Sequence, residues 1–224
     1  MSKHVAKTTR TSLHTGEASG DLFDDPPTHE LRSLAALNEA MAAEGPKVEG
    51  GKRAVFGQGP IGSALAFVGE QPGDQEDLQG RPFVGPAGQL LDRALAEAGI
   101  DRAECYVTNA VKHFKFQQRG KRRIHQKPTL GEVKHYRWWL MKELEFVHPH
   151  LVVALGGTAA YALAGAPVTI GKSRGPADFG AFKGFITVHP SSLLRIREDD
   201  ERQAAFAHFV RDLKAAKTIS DNVT

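Results

Sequence analysis

Two histidines in this sequence stand where an imidazole could act on a substrate. His125 closes the string Lys121-Arg122-Arg123-Ile124-His125, within a stretch from Cys105 through Gly131 that carries no acid. A neutral imidazole is a competent nucleophile, and an unperturbed pKa of about 6.5 leaves most of it neutral at pH 7. His189 opens His189-Pro190-Ser191-Ser192, either as a satisfied turn histidine or as a hydrogen-bond donor to a developing oxyanion. Asn109 follows an apolar run. Its amide either caps a turn or offers a donor and an acceptor to one edge of a pyrimidine. Phe83 lies in Gly80-Arg81-Pro82-Phe83-Val84-Gly85-Pro86-Ala87-Gly88, where a fixed aromatic is either core or a shelf on which a base can stack.

These residues need elements to carry them. Residues 64–68, 106–111, 151–155 and 185–188 read as four buried strands. Helical spacing recurs over 87–98, 132–146, 158–164 and 200–215, and an earlier helix with Leu31, Leu34, Leu37 and Met41 on one face stops at Gly45-Pro46. Strand and helix in alternation predict a three-layer α/β/α fold around a four-stranded parallel sheet, with sites at the carboxyl ends of the strands. Each strand end is followed by polar or glycine-rich residues: Gly69-Glu70-Gln71-Pro72-Gly73-Asp74, Thr108-Asn109, Gly156-Gly157-Thr158 and the His189 turn. Polar groups therefore converge on one rim of the sheet.

A chain of 224 residues suits one domain. Residues 1–27 read as a mobile arm, 28–218 as the folded domain and 219–224 as a tail. The formal charge of +3 only weakly favours a polyanionic partner. The acid-free stretch says more: Lys112, Lys115, Arg119, Lys121, Arg122, Arg123 and Lys127 are all basic, with Phe114 and Phe116 interleaved. That footprint fits a nucleic-acid backbone, which supplies affinity rather than sequence choice; the plainer alternative is a solvated loop. No window approaches 18 consecutive apolar residues and the opening 20 lack an apolar core, so neither a membrane partner nor a secretory signal is expected. The expected setting is the cytoplasm, on the nucleoid in a bacterium, with the protein a monomer. Cys105 is the single cysteine, which excludes an internal disulfide and any site built from several thiolates.

The quoted motifs, in order and spacing, resemble the uracil-DNA glycosylase superfamily, most sharply its UdgX class, over roughly residues 55–215. The resemblance implies uracil excision from DNA. It makes the turn from Gly69 to Asp74 the pocket lining, with Glu70 and Asp74 among the catalytic residues and Gln71 beside the substrate. Phe83 would stack on the flipped uracil, Asn109 would read its edge against cytosine, and His189 would donate to its carbonyl oxygen. His125 would attack the sugar carbon after uracil departs and join the protein to DNA, with Glu70 orienting it or stabilising its charge. Lys121, Arg122, Arg123, Ser191 and Arg195 would bind DNA. Two rivals remain open: a hydrolytic glycosylase with turnover, and a non-catalytic binder of single-stranded or uracil-containing DNA. The resemblance also implies an iron-sulfur cluster on four cysteines, beginning ahead of Val55, which Cys105 alone cannot supply. The expectation is no metal and no cofactor.

Overall fold

Apolar runs long enough to be buried on both faces dictate the architecture. In the computed structural model, which describes residues 31–223, the strands are β1 Leu65–Gly69, β2 Tyr106–Asn109, β3 Phe116–Arg119, β4 Arg122–His125, β5 Leu151–Leu155, β6 Gly175–Asp178 and β7 Lys183–Thr187. The helices are α1 Leu34–Glu44, α2 Asp74–Gln79, α3 Pro86–Glu97, α4 Leu130–Val147, α5 Gly157–Ala164, α6 Ile170–Ser173, α7 Pro190–Leu193 and α8 Asp199–Asp221. The sheet order is β2-β1-β5-β7-β6. The first four strands are mutually parallel, as expected, and β6 joins the edge antiparallel to β7. Gly-Pro-Ala-Asp has no strand-like apolar pattern, so the fifth strand was not expected.

Alternate side chains of each strand feed two cores, as a pleat of period two requires. Ala66 and Val68 of β1 join Leu37 and Met41 of α1, Tyr136, Leu140 and Leu144 of α4 and Leu163 of α5. Leu65 and Phe67 face the other way, against Leu91 and Leu95 of α3 and Phe206, Phe209 and Leu213 of α8. Local signals fix the helix starts. Thr129 and Glu132 form a reciprocal capping box at α4, and Pro86 sits in the first turn of α3 behind Gly85. The boundary at 218 requires correction: α8 runs on through Asp221, and the hydroxyl of buried Ser220 donates to the Ala64 carbonyl, 2.6 Å. The arm expected over residues 1–27 lies outside the described residues.

The basic stretch is not a loop. Residues 116–125 form an antiparallel hairpin, β3 and β4, with Phe116 opposite His125. Behind it, Lys112 is fully buried, its Nζ donating to Glu143 Oε2 (2.5 Å), Thr108 Oγ1 (2.5 Å) and the Asn109 carbonyl (2.7 Å). Tyr106 and Thr108 donate to the same carboxylate at 2.9 and 3.0 Å, and the Gly57 N–H reaches it at 3.2 Å. Burial lowers the lysine pKa, and Glu143 opposes the shift. A buried charge with every proton placed is tolerable; the same charge with its partner removed is not. Lys112→Met should therefore cost about 3 to 5 kcal/mol, because Glu143 is left buried and unpaired. Urea unfolding measures this, and an unchanged midpoint would show that the pair contributes little.

Candidate active site

The topology turns at one place. From β1 the chain moves outward to β2, and from β5 it moves the other way to β7, so the carboxyl ends of β1 and β5 flank the crevice where α/β proteins bind ligands. A cleft of about 730 Å³ opens there, lined by residues that include Glu70, Gln71, Glu76, Phe83, Asn109, His125, Thr158, His189, Ser191 and Arg195. Of the expected site residues, the fold thus brings Glu70, Gln71, Phe83, Asn109, His125, His189, Ser191 and Arg195 to one cavity.

Phe83 and Asn109 share its floor. Gly69 ends β1 beneath both: a Cβ there would collide with Asn109 Oδ1 and come within 2.7 Å of Phe83 Cζ, so only glycine admits this pairing. Phe83 itself has φ +57, a conformation rare for an aromatic and one that concentrates at ligand sites. Its backbone lies against Gly88, where any Cβ would overlap the Phe83 carbonyl. Phe83 is 4% exposed, and its ring stacks on His189 at 6.3 Å between centroids, 28° between planes. Asn109 is 1% exposed; its Nδ2 makes no hydrogen bond of ordinary length among the described residues, but its side-chain amide acts on the buried Glu76 carboxylate and helps to lower that group's pKa. An amide has two N–H donors, so one can serve Glu76 while the other is available to a ligand acceptor at the cavity.

His189 has a defined tautomer. The Ser191 N–H donates to Nδ1 at 3.2 Å and the Ser191 hydroxyl lies 2.9 Å from the same atom. Nδ1 is thus the acceptor, and the ring proton sits on Nε2 as a donor. Burial pushes the His189 pKa down to about 4, with Arg195 and His125 adding and Glu70 opposing. The ring is neutral at pH 7 and still offers one N–H.

His125, on β4, has a half-exposed side chain with Nε2 3.7 Å from Glu70 Oε1. Desolvation of the ring lowers its pKa and Arg195 adds to this, against the pull of Glu70. At neutral pH it therefore keeps a free lone pair. Glu70 is oriented in turn by the Thr158 hydroxyl, which donates to its other oxygen, Oε2.

Three expected site residues do something else as well. Gln71 lines the cleft, but its side chain is spent on the hairpin base: Nε2 donates to the carbonyls of Lys115 (3.2 Å) and Gln126 (3.0 Å), and Oε1 accepts from the Lys115 N–H (3.2 Å). Asp74 takes Arg123 Nε at 2.5 Å, and Asp77 takes Nη1 at 2.5 Å. The Arg123 guanidinium also lies over Phe114 and Phe116, at 5.4 and 5.2 Å. Lys115 pairs with Glu132 at 2.8 Å. Of the seven cations that looked unopposed in sequence, Lys112, Lys115 and Arg123 thus have internal carboxylates. Arg119, Lys121, Arg122 and Lys127 remain exposed, with no paired carboxylate among the described residues. Sequence reading missed Glu76 and Thr158. Glu76 is buried, its pKa raised by burial against the N–H groups of Phe83 and Gly73, the side-chain amide of Asn109 and the N–H of Gly85. Its sequence signal, one of three acids in a helix's first turn, reads as an ordinary dipole partner.

A four-thiolate cluster does not fit these residues. Buried Cys105 is the chain's one cysteine, with Sγ donating to the Asp101 carbonyl at 3.2 Å. Among the described residues no group of three His, Cys, Asp or Glu is arranged to hold a metal. The segment ahead of Val55 is fastened by protein groups: His113 Nδ1 meets the Tyr136 hydroxyl at 2.7 Å, and that hydroxyl accepts the Lys47 N–H at 3.0 Å. Among the described residues no helix is long and apolar enough to cross a membrane.

Comparison with known proteins agrees with this geometry. The family model described as the uracil DNA glycosylase superfamily matches residues 56–214. A type-4 uracil-DNA glycosylase of Thermotoga maritima is 39% identical over 167 residues, 73% of this chain and 81% of that one. Its counterpart from Pyrobaculum aerophilum is 35% identical over 153 residues, 64% and 74%. That of Archaeoglobus fulgidus is 41% identical over 106 residues, 47% and 50%.

Hydrogen exchange distinguishes a strut from a phosphate contact. Arg123→Ala should speed amide exchange across β3 and β4 in the free protein, because two carboxylates lose their clamp, while Arg122→Ala should leave exchange unchanged. Equal protection in both variants would remove Arg123 from the role of a strut.

Proposed function

The chain belongs to the uracil DNA glycosylase superfamily, and from that premise we propose that it is a DNA-repair enzyme that excises uracil from DNA and, as in the UdgX class, joins itself to the abasic sugar through His125. The observation that carries this reading is His125 standing at the cleft beside Glu70, 3.7 Å away, on a hairpin that also carries exposed Arg119, Lys121 and Arg122. Those cations, with Arg195, attract the phosphate backbone. In this reading the protein works on DNA as a monomer, in the cytoplasm or on the nucleoid.

A uracil flipped from the duplex stacks on Phe83, and Asn109 Nδ2 meets its carbonyl acceptor. Cytosine presents an amino donor to the same N–H and leaves both unpaired, which is the efficient way to reject an analogue. The bond between the sugar C1′ and the base N1 breaks, and its electron pair leaves with uracil. His189 Nε2–H donates to the carbonyl oxygen where that charge gathers. A ring nitrogen of His125 gives its lone pair to the electron-poor C1′, forming the new bond, and Glu70 faces the imidazolium that results. Held in place, the histidine outcompetes water, since effective molarities in well-oriented pairs reach about 10⁵ M or more. No step calls for a cofactor.

A second reading is supported by the names of the relatives, type-4 uracil-DNA glycosylases: hydrolysis with turnover, in which water reaches C1′ first. One assay separates the two. Mixed with a uracil-containing oligonucleotide, the protein should give a species that survives heat and detergent, and His125→Ala should lose it while still releasing uracil. Adduct formation should also slow as pH falls from 7 through the depressed pKa of His125, below its usual 6.5, because protonation removes the lone pair. Many turnovers without an adduct would establish the hydrolytic reading, and a rate that does not fall at the pH where the His125 ring is seen by NMR to protonate would exclude His125 as nucleophile.

A further inference from the structure

Thr158 is the second residue of α5, at the start of the helix that follows β5, and it is 8% exposed at the wall of the cleft. Its hydroxyl donates to Glu70 Oε2, across 88 residues of sequence, while Glu70 Oε1 is the oxygen that faces His125. No side chain caps the first N–H groups of α5. The Glu70 carboxylate therefore takes a hydroxyl donor from the first turn of α5, whose positive end favours its charge, and the hydroxyl holds it in one orientation. A glutamate side chain has three rotatable bonds, and a 3.7 Å approach to His125 is too long for a hydrogen bond to fix it. Something other than His125 must set where Oε1 points.

We propose that Thr158 is a positioning residue for the reaction: it clamps Glu70 by one oxygen so that the other is presented to His125. The proposal rests on the reading of His125 given above and adds to it a residue that never touches the substrate. The same turn also packs on the opposite side of the pocket, since Gly156 lies beside His189 and its N–H donates to the Thr187 carbonyl at 2.9 Å. One short turn thus sets the distance between the His125 side and the His189 side of the cleft.

Thr158→Val keeps the shape and removes the donor; Thr158→Ser keeps the donor and removes a methyl; Thr158→Ala serves if the valine protein does not fold. The proton chemical shift of the His125 ring is followed against pH in the free proteins, and adduct formation is followed in single turnover with a uracil-containing oligonucleotide. The groups whose charges reach this ring are Glu70, Arg195 and His189, and only Glu70 is released by the valine. Loss of the clamp should lower the His125 midpoint and slow the adduct by about tenfold or more, the scale of one hydrogen bond to a charged group. Thr158→Ser should keep both at the wild-type values. A variant lacking the hydroxyl that melts like wild type and keeps the His125 midpoint overturns the inference, as does a serine variant as impaired as the valine. If the wild-type protein forms no adduct at all, the covalent reading fails, and the His125 midpoint alone decides on Thr158.

Discussion

The guanidinium of Arg123 holds together two parts of the chain that have no sheet pairing in common. It lies between Asp74 and Asp77 at the start of α2 and over the faces of Phe114 and Phe116. A two-stranded ribbon is marginal in water by itself, and the hairpin of β3 and β4 is polar and largely exposed. Its position has to come from elsewhere. Arginine suits the task because its planar fork can meet two carboxylates while its face lies against aromatic rings. Gln71 adds a second tie, bonding Lys115 and Gln126 on the two sides of the hairpin base. Together they decide where His125 stands, two residues along β4 from Arg123.

The opposite wall of the cleft is fixed by burial instead of by surface charge. Lys112 threads under the end of β2 and ties the Asn109 carbonyl to Glu143 of α4, so the amide that faces the cavity hangs from a rigid, fully buried network. Phe83 is held in a strained backbone conformation between Gly69 and Gly88. Strain of this kind persists only where the surroundings over-determine it. Here they do, and the result is an aromatic face and a buried amide side by side. The cleft is thus stiff on the side where a base would be recognised, while its far side is a clamped hairpin.

Much of this was legible in the sequence, for identifiable reasons. Apolar runs of five residues mark β1 and β5 because both faces are buried, and strand ends mark the rim because the sheet is parallel. The hairpin was not legible: Phe-Gln-Gln-Arg and Arg-Arg-Ile-His bury too little to show a period. Nor was β6, whose pairing depends on the edge of β7 and not on its own side chains. Charge was the most misleading signal. Arg123 belongs to the same basic string as Arg122, yet the carboxylates that neutralise it lie 46 and 49 residues away, and no local pattern encodes that. Glu76 and Thr158 escaped for the same reason, since each has its meaning from a partner brought in by the fold.

The central claim is that the imidazole of His125, and no water molecule, captures the sugar carbon. Peptide mapping tests it directly. After reaction with a uracil-containing oligonucleotide, nuclease digestion and proteolysis, tandem mass spectrometry should find the deoxyribose remnant on the peptide that contains His125, with fragment ions assigning the added mass to that residue. An unmodified His125 peptide from protein that has released stoichiometric uracil, or the same mass found on another residue, would contradict the account.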